Sequence, residues 1–308
     1  MPYAELPPMD GVTRRAVADR RWQTLLEARP DLGPAVALQR ALFGHVLDVA
    51  DRYDRQPPAR VSLPPRYVTT KLASGIPALV NEPIPVPVDA LKPLLVDLCR
   101  ALAAGGGGEA TARVVDAVEQ QRLDLGALLA LGLRREQGAL KAVATHAGLG
   151  HDLLWLVVDL AVSPFAHAML RAHFDGLAAE SPLTAALNAW PHGYCPLCGS
   201  WPTLVEVTGD VRRLRCSLCA AAWTRPSASC LYCGNDTETF RRVAPNPAQP
   251  DRTLELCGGC KGYAKSVPSD LPLPFPLVAI LDLGSMDLDM AAIRAGLARP
   301  GLKSFRRR

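Results

Sequence analysis

Eight of the nine cysteines in this chain stand as four Cys-x-x-Cys pairs: Cys195/Cys198, Cys216/Cys219, Cys230/Cys233 and Cys257/Cys260. A deprotonated cysteine is a soft ligand, and two intervening residues let one tight turn aim both sulfurs at a single ion. Gly199 and Gly234, directly after two of the pairs, tolerate such a turn and leave backbone N–H groups free to face sulfur. Four pairs therefore supply two tetrahedral, sulfur-only metal sites. Between Cys198 and Cys216 lie 17 residues, and between Cys233 and Cys257 lie 23. Either gap accommodates a hairpin that returns to its start. Only 10 residues separate Cys219 from Cys230, which reads as a connection between modules. The gaps assign Cys195, Cys198, Cys216 and Cys219 to one ion, and Cys230, Cys233, Cys257 and Cys260 to another. An interleaved, cross-braced pairing is the alternative.

Four thiolates around one ion leave no open position for water or substrate, which argues against Lewis-acid catalysis. The ligands do not choose the metal. Iron in a rubredoxin-like site and zinc in a structural ribbon both accept four sulfurs, so two iron ions are expected with zinc as the alternative. Arg212, Arg213, Arg215, Arg241, Arg242, Lys261 and Lys265 stand nearby in sequence and are expected to offset the negative charge of such centres. Cys99 is alone in an apolar segment and reads as a buried core thiol. His192 precedes the first pair and reads as a linker residue rather than an outer-shell donor. Trp201 and Trp223 are expected to shield the sites or fill a thin core. Among the remaining histidines, His45, His146, His151, His167 and His173, no His-Glu-x-x-His pattern occurs. With no nucleophile–base arrangement either, a catalytic site is not expected.

The elements that must position the pairs change character near Trp190. Upstream, apolar residues recur at helical spacing from Arg14 to Ala28 and from Pro34 to Tyr53. Further helices are expected over 88–104, 109–121, 124–131, 134–147, 150–175 and 182–189. The most apolar of these begins at His151 and should be central, with Ser163-Pro164 kinking or dividing it. The proline-dense stretch from Gln56 to Pro87 reads as extended chain, and Gly105 to Gly108 as a helix–helix connector. Downstream, β-like runs at 203–208, 211–215, 239–243 and 253–256 flank the pairs as strands do in a metal ribbon. Leu277 to Leu281 reads as a strand or extended segment. Ser285 then looks like the N-cap of a helix over 286–298. The expected fold is α+β, with a helical domain over 1–190, ribbon modules over 191–226 and 227–270, and a C-terminal strand, helix and basic tail over 271–308.

The flanks of the pairs resemble the FdhE family, accessory proteins of respiratory formate dehydrogenase. Cys195-Pro-Leu-Cys-Gly-Ser-Trp-Pro202 is similar to the family's first motif. So is the string from Arg213 through Cys216, Cys219 and Trp223 to Cys230, Cys233 and Gly234, and so is Cys257-Gly-Gly-Cys260 with Tyr263 and Lys265. The likeness covers about 70 residues; upstream it extends only to helical character and length. It implies a non-enzymatic, iron-binding maturation factor. Its partner would be the molybdenum- or tungsten-containing catalytic subunit of an exported formate dehydrogenase, and its ligands the eight paired cysteines.

Bulk properties fit that picture without demanding it. The 308 residues are 49% hydrophobic and carry a net charge of +4, enough for a sizeable core and too mild a charge to imply nucleic acid. A nucleic-acid-binding zinc ribbon is kept as the competing function class. A dithiol oxidoreductase would need free thiol pairs beside a βαβ pattern, which the sequence does not show. The start has no basic residues followed by an apolar run, and no apolar stretch approaches the roughly 20 residues of a membrane span. A cytoplasmic location without membrane insertion is expected, where paired cysteines are metal or redox centres more often than disulfides. The sequence leaves self-association open.

Overall fold

The structure is a computed structural model that describes residues 3–4, 9–225 and 229–301. The basic tail expected at the end of 271–308 and the module boundary expected at 226/227 lie outside the described residues. The chain forms two compact units. One comprises 10–61 and 80–174; the other comprises 62–79 and everything described from Asp175 onward, together with the N-terminal residues.

The first unit is helical: α1 (Gly11–Ala28), α2 (Gly33–Arg55), α4 (Val88–Leu102), α5 (Gly108–Glu119), α6 (Leu125–Leu133), α7 (Gln137–His146) and α8 (His151–Phe174). Local signals start these helices. Asp10 caps α1 by accepting from Thr13 N–H at 2.9 Å, and Asp124 caps α6 through Ala127 N–H at 2.9 Å, which satisfies otherwise orphaned donors. Helix α8 is the hub, packed on α2, α4, α6 and α7. By length and composition it could cross a membrane, yet 67% of its most apolar window is buried inside the protein. Of the two expected outcomes at Ser163-Pro164, division does not occur: α8 is continuous through both residues. Both residues are buried, so packing against neighbouring helices offsets the single lost backbone bond. The expected glycine connector is a π-helical turn over Ala103–Gly107, with Gly106 at φ 107°. Cys99 is buried, as expected, and burial pushes its thiol up to about 11.

The second unit holds α3 (Pro65–Ala73), α9 (Pro182–Asn188), seven strands and two closing helices, α10 (Val278–Gly284) and α11 (Met286–Arg294). The strands are β1 (Tyr3–Ala4), β2 (Pro202–Thr208), β3 (Val211–Cys216), β4 (Ala222–Trp223), β5 (Phe240–Val243), β6 (Thr253–Cys257) and β7 (Tyr263–Pro268). They form one sheet in the order β1-β4-β3-β2-β7-β6-β5. The two ribbons are thus not separate sheets. Parallel pairing of β2 with β7, Val205 opposite Ser266 and Val207 opposite Pro268, joins them. Helix α11 covers one face, where Leu254, Tyr263, Val267, Leu288 and Ala292 form a buried cluster.

Three expectations fail in this unit. The proline-rich stretch contains α3, because Pro65 sits in the first turn of the helix, where a missing N–H costs nothing. Residues 278–284 are helix rather than strand; a short apolar run fits either periodicity. Ser285 does not cap the next helix with its side chain. Instead its hydroxyl donates backwards to Leu281 O at 2.7 Å, closing α10.

Candidate metal centres

Each Cys-x-x-Cys pair folds into the same turn. The N–H of the first cysteine donates to the carbonyl five residues on: Cys195 to Ser200 at 2.8 Å, Cys216 to Ala221 at 2.9 Å, Cys230 to Asn235 at 2.8 Å, Cys257 to Gly262 at 3.0 Å. The residue after the second cysteine is left-handed in all four, with φ of 80° at Gly199, 56° at Ala220, 77° at Gly234 and 58° at Lys261. Glycine meets that requirement without strain at two of them. The turn also aims amides at sulfur, with Leu197 N–H 3.4 Å from Cys195 Sγ and Leu218 N–H 3.4 Å from Cys216 Sγ.

Hairpin β2–β3 brings Cys195, Cys198, Cys216 and Cys219 together, and hairpin β5–β6 brings Cys230, Cys233, Cys257 and Cys260 together. Within each foursome all sulfurs lie within 4.8 Å of one another. This is the sequential grouping, not the interleaved one. Sulfur–sulfur separations are 3.8 Å for Cys195–Cys219, 3.4 Å for Cys198–Cys216 and 3.7 Å for Cys198–Cys219. In the second group they are 3.6 Å for Cys230–Cys260 and 3.7 Å for Cys233–Cys257. A tetrahedron with metal–sulfur bonds of about 2.3 Å has sulfur–sulfur edges of about 3.8 Å. A disulfide would need about 2.05 Å, and none of the eight is disulfide-bonded. The donor sets therefore fit a four-coordinate soft cation, and both groups could hold a metal ion.

Electrostatics point the same way. Burial opposes ionisation at Cys195 and Cys219 and leaves both thiols well above the usual range. Burial acts on Cys198 too, but hydrogen bonds from the three other thiols and from Ser200 overcome it and hold that thiol well below. Four thiolates cannot coexist in so small a buried volume unless a cation neutralises them. In the second group, burial pushes Cys230 up to about 12. At Cys257 the opposing effect of burial is outweighed by hydrogen bonds from the Cys260 backbone and Asn235, which bring it down to about 6.

The first group is sealed by the chain before it. Ala78 N–H donates to Pro196 O at 2.9 Å, and Leu79 N–H to Leu197 O at 2.8 Å. Lys71 of α3 is buried and holds this turn through Ala78 O at 2.8 Å. Tyr194 OH donates to Gly75 O at 2.8 Å. An aromatic row continues to the second group: His192 stacks on Tyr194 at 4.8 Å, Tyr194 meets Trp201 at 5.7 Å, and Trp201 meets Tyr232 edge-on at 4.9 Å. Gly193 is required here, since a Cβ would lie 2.1 Å from Leu231 O in the third turn. Trp223 is fully buried with its indole N–H on His192 O at 3.3 Å. His192 is thus part of the packing and not of either cysteine group, in line with its reading as a linker.

The expected charge compensation is corrected at most of its positions. Arg215 and Glu206 form a fully buried ion pair. Arg212 and Arg242 both pair with Glu255. Lys265 is buried beneath α10 and α11, with its ammonium 2.8 Å from Asp282 and 2.6 Å from Asp289. Tyr263, the other residue of the fourth flank, donates to Asp289 at 2.9 Å. These cations answer carboxylates brought to them by the fold, with Asp282 and Asp289 lying 17 and 24 residues beyond Lys265.

No protein-family model matches the chain. It is 30% identical over 148 residues to an FdhE homolog of Citrobacter koseri, covering 46% of this chain and 47% of that one. It is 29% identical over 253 residues to an FdhE homolog of Pseudomonas aeruginosa, covering 79% of this chain and 75% of that one. The chain thus spans about half the length of several curated relatives it matches. Its fold is shared with the crystal structure of FdhE from Pseudomonas aeruginosa, with a TM-score of 0.59, 24% identity and 97% of each chain covered. In sequence and in fold, the chain is similar to FdhE proteins.

Proposed function

We propose that the protein is a cytoplasmic, non-enzymatic accessory factor that binds iron through its eight paired cysteines. In that role it assists maturation of the catalytic subunit of a respiratory formate dehydrogenase before export. The observation that carries this reading is the pair of four-sulfur groups, whose 3.4 to 3.8 Å edges suit a tetrathiolate ion. Residues Cys195, Cys198, Cys216 and Cys219 would hold one ion, and Cys230, Cys233, Cys257 and Cys260 the other. An ion with no free coordination position would supply folding energy rather than hydrolysis, and iron there would add one-electron chemistry. The family resemblance supplies the client.

The nucleic-acid ribbon draws less support, since Arg212, Arg215 and Arg242 are bound to Glu255 and Glu206 instead of being free for phosphate. Two assays decide. The tagged protein should retain the unfinished formate dehydrogenase catalytic subunit from cell extract, and cells lacking the protein should lose formate dehydrogenase activity. Full enzyme activity in those cells, or tight DNA or RNA binding with a steep salt dependence, would refute the reading.

A further inference from the structure

The two cysteine groups share a turn geometry but not an environment. In the first, all four cysteines are buried, and so are the neighbours Pro196, Leu197 and Leu218. The 75–79 turn is hydrogen-bonded across the first pair. In the second, Cys230 and Cys257 are buried whereas Cys233 and Cys260 are exposed. The residues that would cover the exposed edge do not: Gly234, Gly258, Gly259 and Lys261 are all open to solvent, and three of the four have no side chain. The buried half is held firmly. Asn235 Nδ2 bonds Thr239 at 2.7 Å and faces Cys257 Sγ at 3.7 Å, while the chain around Cys230 is pinned by the close approach of Gly193 to Leu231.

We infer that the second group is an exchange site and the first a permanent structural one. The open edge formed by Cys233 and Cys260 can be approached by an incoming soft donor, a thiolate or a chelator. The electron pair of that donor forms a new bond to the ion as the bond to Cys260 breaks. The released Cys260 thiolate takes a proton from water, and Cys230 and Cys257 keep their hold until Cys233 is displaced in turn. No change of oxidation state is involved. Exchange at the first group requires the 75–79 turn to open, which adds a local unfolding step.

The inference rests on metal binding as proposed above, so metal content and release order are read separately. The full chain, loaded with zinc and counted by metal analysis, is mixed with 4-(2-pyridylazo)resorcinol, and in parallel pulsed with iodoacetamide for mass-spectrometric mapping. The expected result is two equivalents released in two phases, the first at least about tenfold faster. Cys233 and Cys260 should be alkylated before Cys195, Cys198, Cys216 or Cys219. The variant Cys260→Ser should abolish the fast phase and keep the slow one. Two equivalents leaving in one phase, or labelling that begins in the first group, overturns the inference alone. A protein that takes up no metal overturns both the inference and the metal-binding reading.

Discussion

Replacing Glu206 with Gln tests how the first metal site is anchored. Glu206 and Arg215 are both without solvent exposure. One carboxylate oxygen serves the guanidinium and the other accepts Leu273 N–H at 2.9 Å. The guanidinium also donates to Leu273 O at 2.6 Å and to Ala220 O at 3.2 Å, the latter directly after Cys219. Glu206→Gln keeps the shape and strands the arginine charge. Removing one partner of a buried pair costs about 3–5 kcal/mol, whereas replacing both with apolar residues of similar volume is near neutral. A loss of that size should lower the melting temperature by roughly 10 °C for a unit of this size. The assay is thermal and urea unfolding of metal-loaded wild type, Glu206→Gln, Arg215→Met and the double variant Glu206→Leu/Arg215→Met. The double variant should recover most of the loss. A cost under about 1 kcal/mol for Glu206→Gln, the value of a surface pair, would refute the reasoning.

Gly199→Ala should cost about 1–2 kcal/mol, because an L-residue would be held at φ 80°; equal urea midpoints would contradict it. Ala220→Gly, at the equivalent position with φ 56°, should lose far less, since relieved strain offsets glycine's entropy. Burial opposes ionisation of Asp51, but hydrogen bonds from Arg15 and Arg14 outweigh it and lower its carboxyl below the usual 3.8. A depressed folded-state value stabilises above the unfolded pKa and is lost as pH falls through the folded one. Asp51→Asn should therefore flatten the fall of stability below about pH 4, and an unchanged acid slope in urea titrations would contradict this. Cys99, buried with its thiol up at about 11, should resist alkylation in native protein at pH 8 and react once unfolded.

The sites were more legible in the sequence than the scaffold that encloses them. Two-residue spacings and hairpin-length gaps dictate which sulfurs can meet, because a tight turn and a hairpin are local objects. Helices α1, α2 and α4 to α9 follow from apolar periodicity for the same reason. What was hidden is long-range. Lys265 reads as a cation near cysteines until the chain brings Asp282 and Asp289 over it. The β2–β7 pairing that merges the ribbons links residues about sixty positions apart, and no local pattern encodes a parallel partner. Helix α3 was masked by prolines that also suit extended chain, yet its following turn is what seals the first group.

The central claim is two iron ions held by sulfur alone. Metal analysis with an absorption spectrum, on protein purified without added metal, tests it most directly. The account predicts two equivalents of iron per chain and the visible bands of a ferric tetrathiolate. A colourless protein, with zinc or with no metal at the two groups, would contradict it.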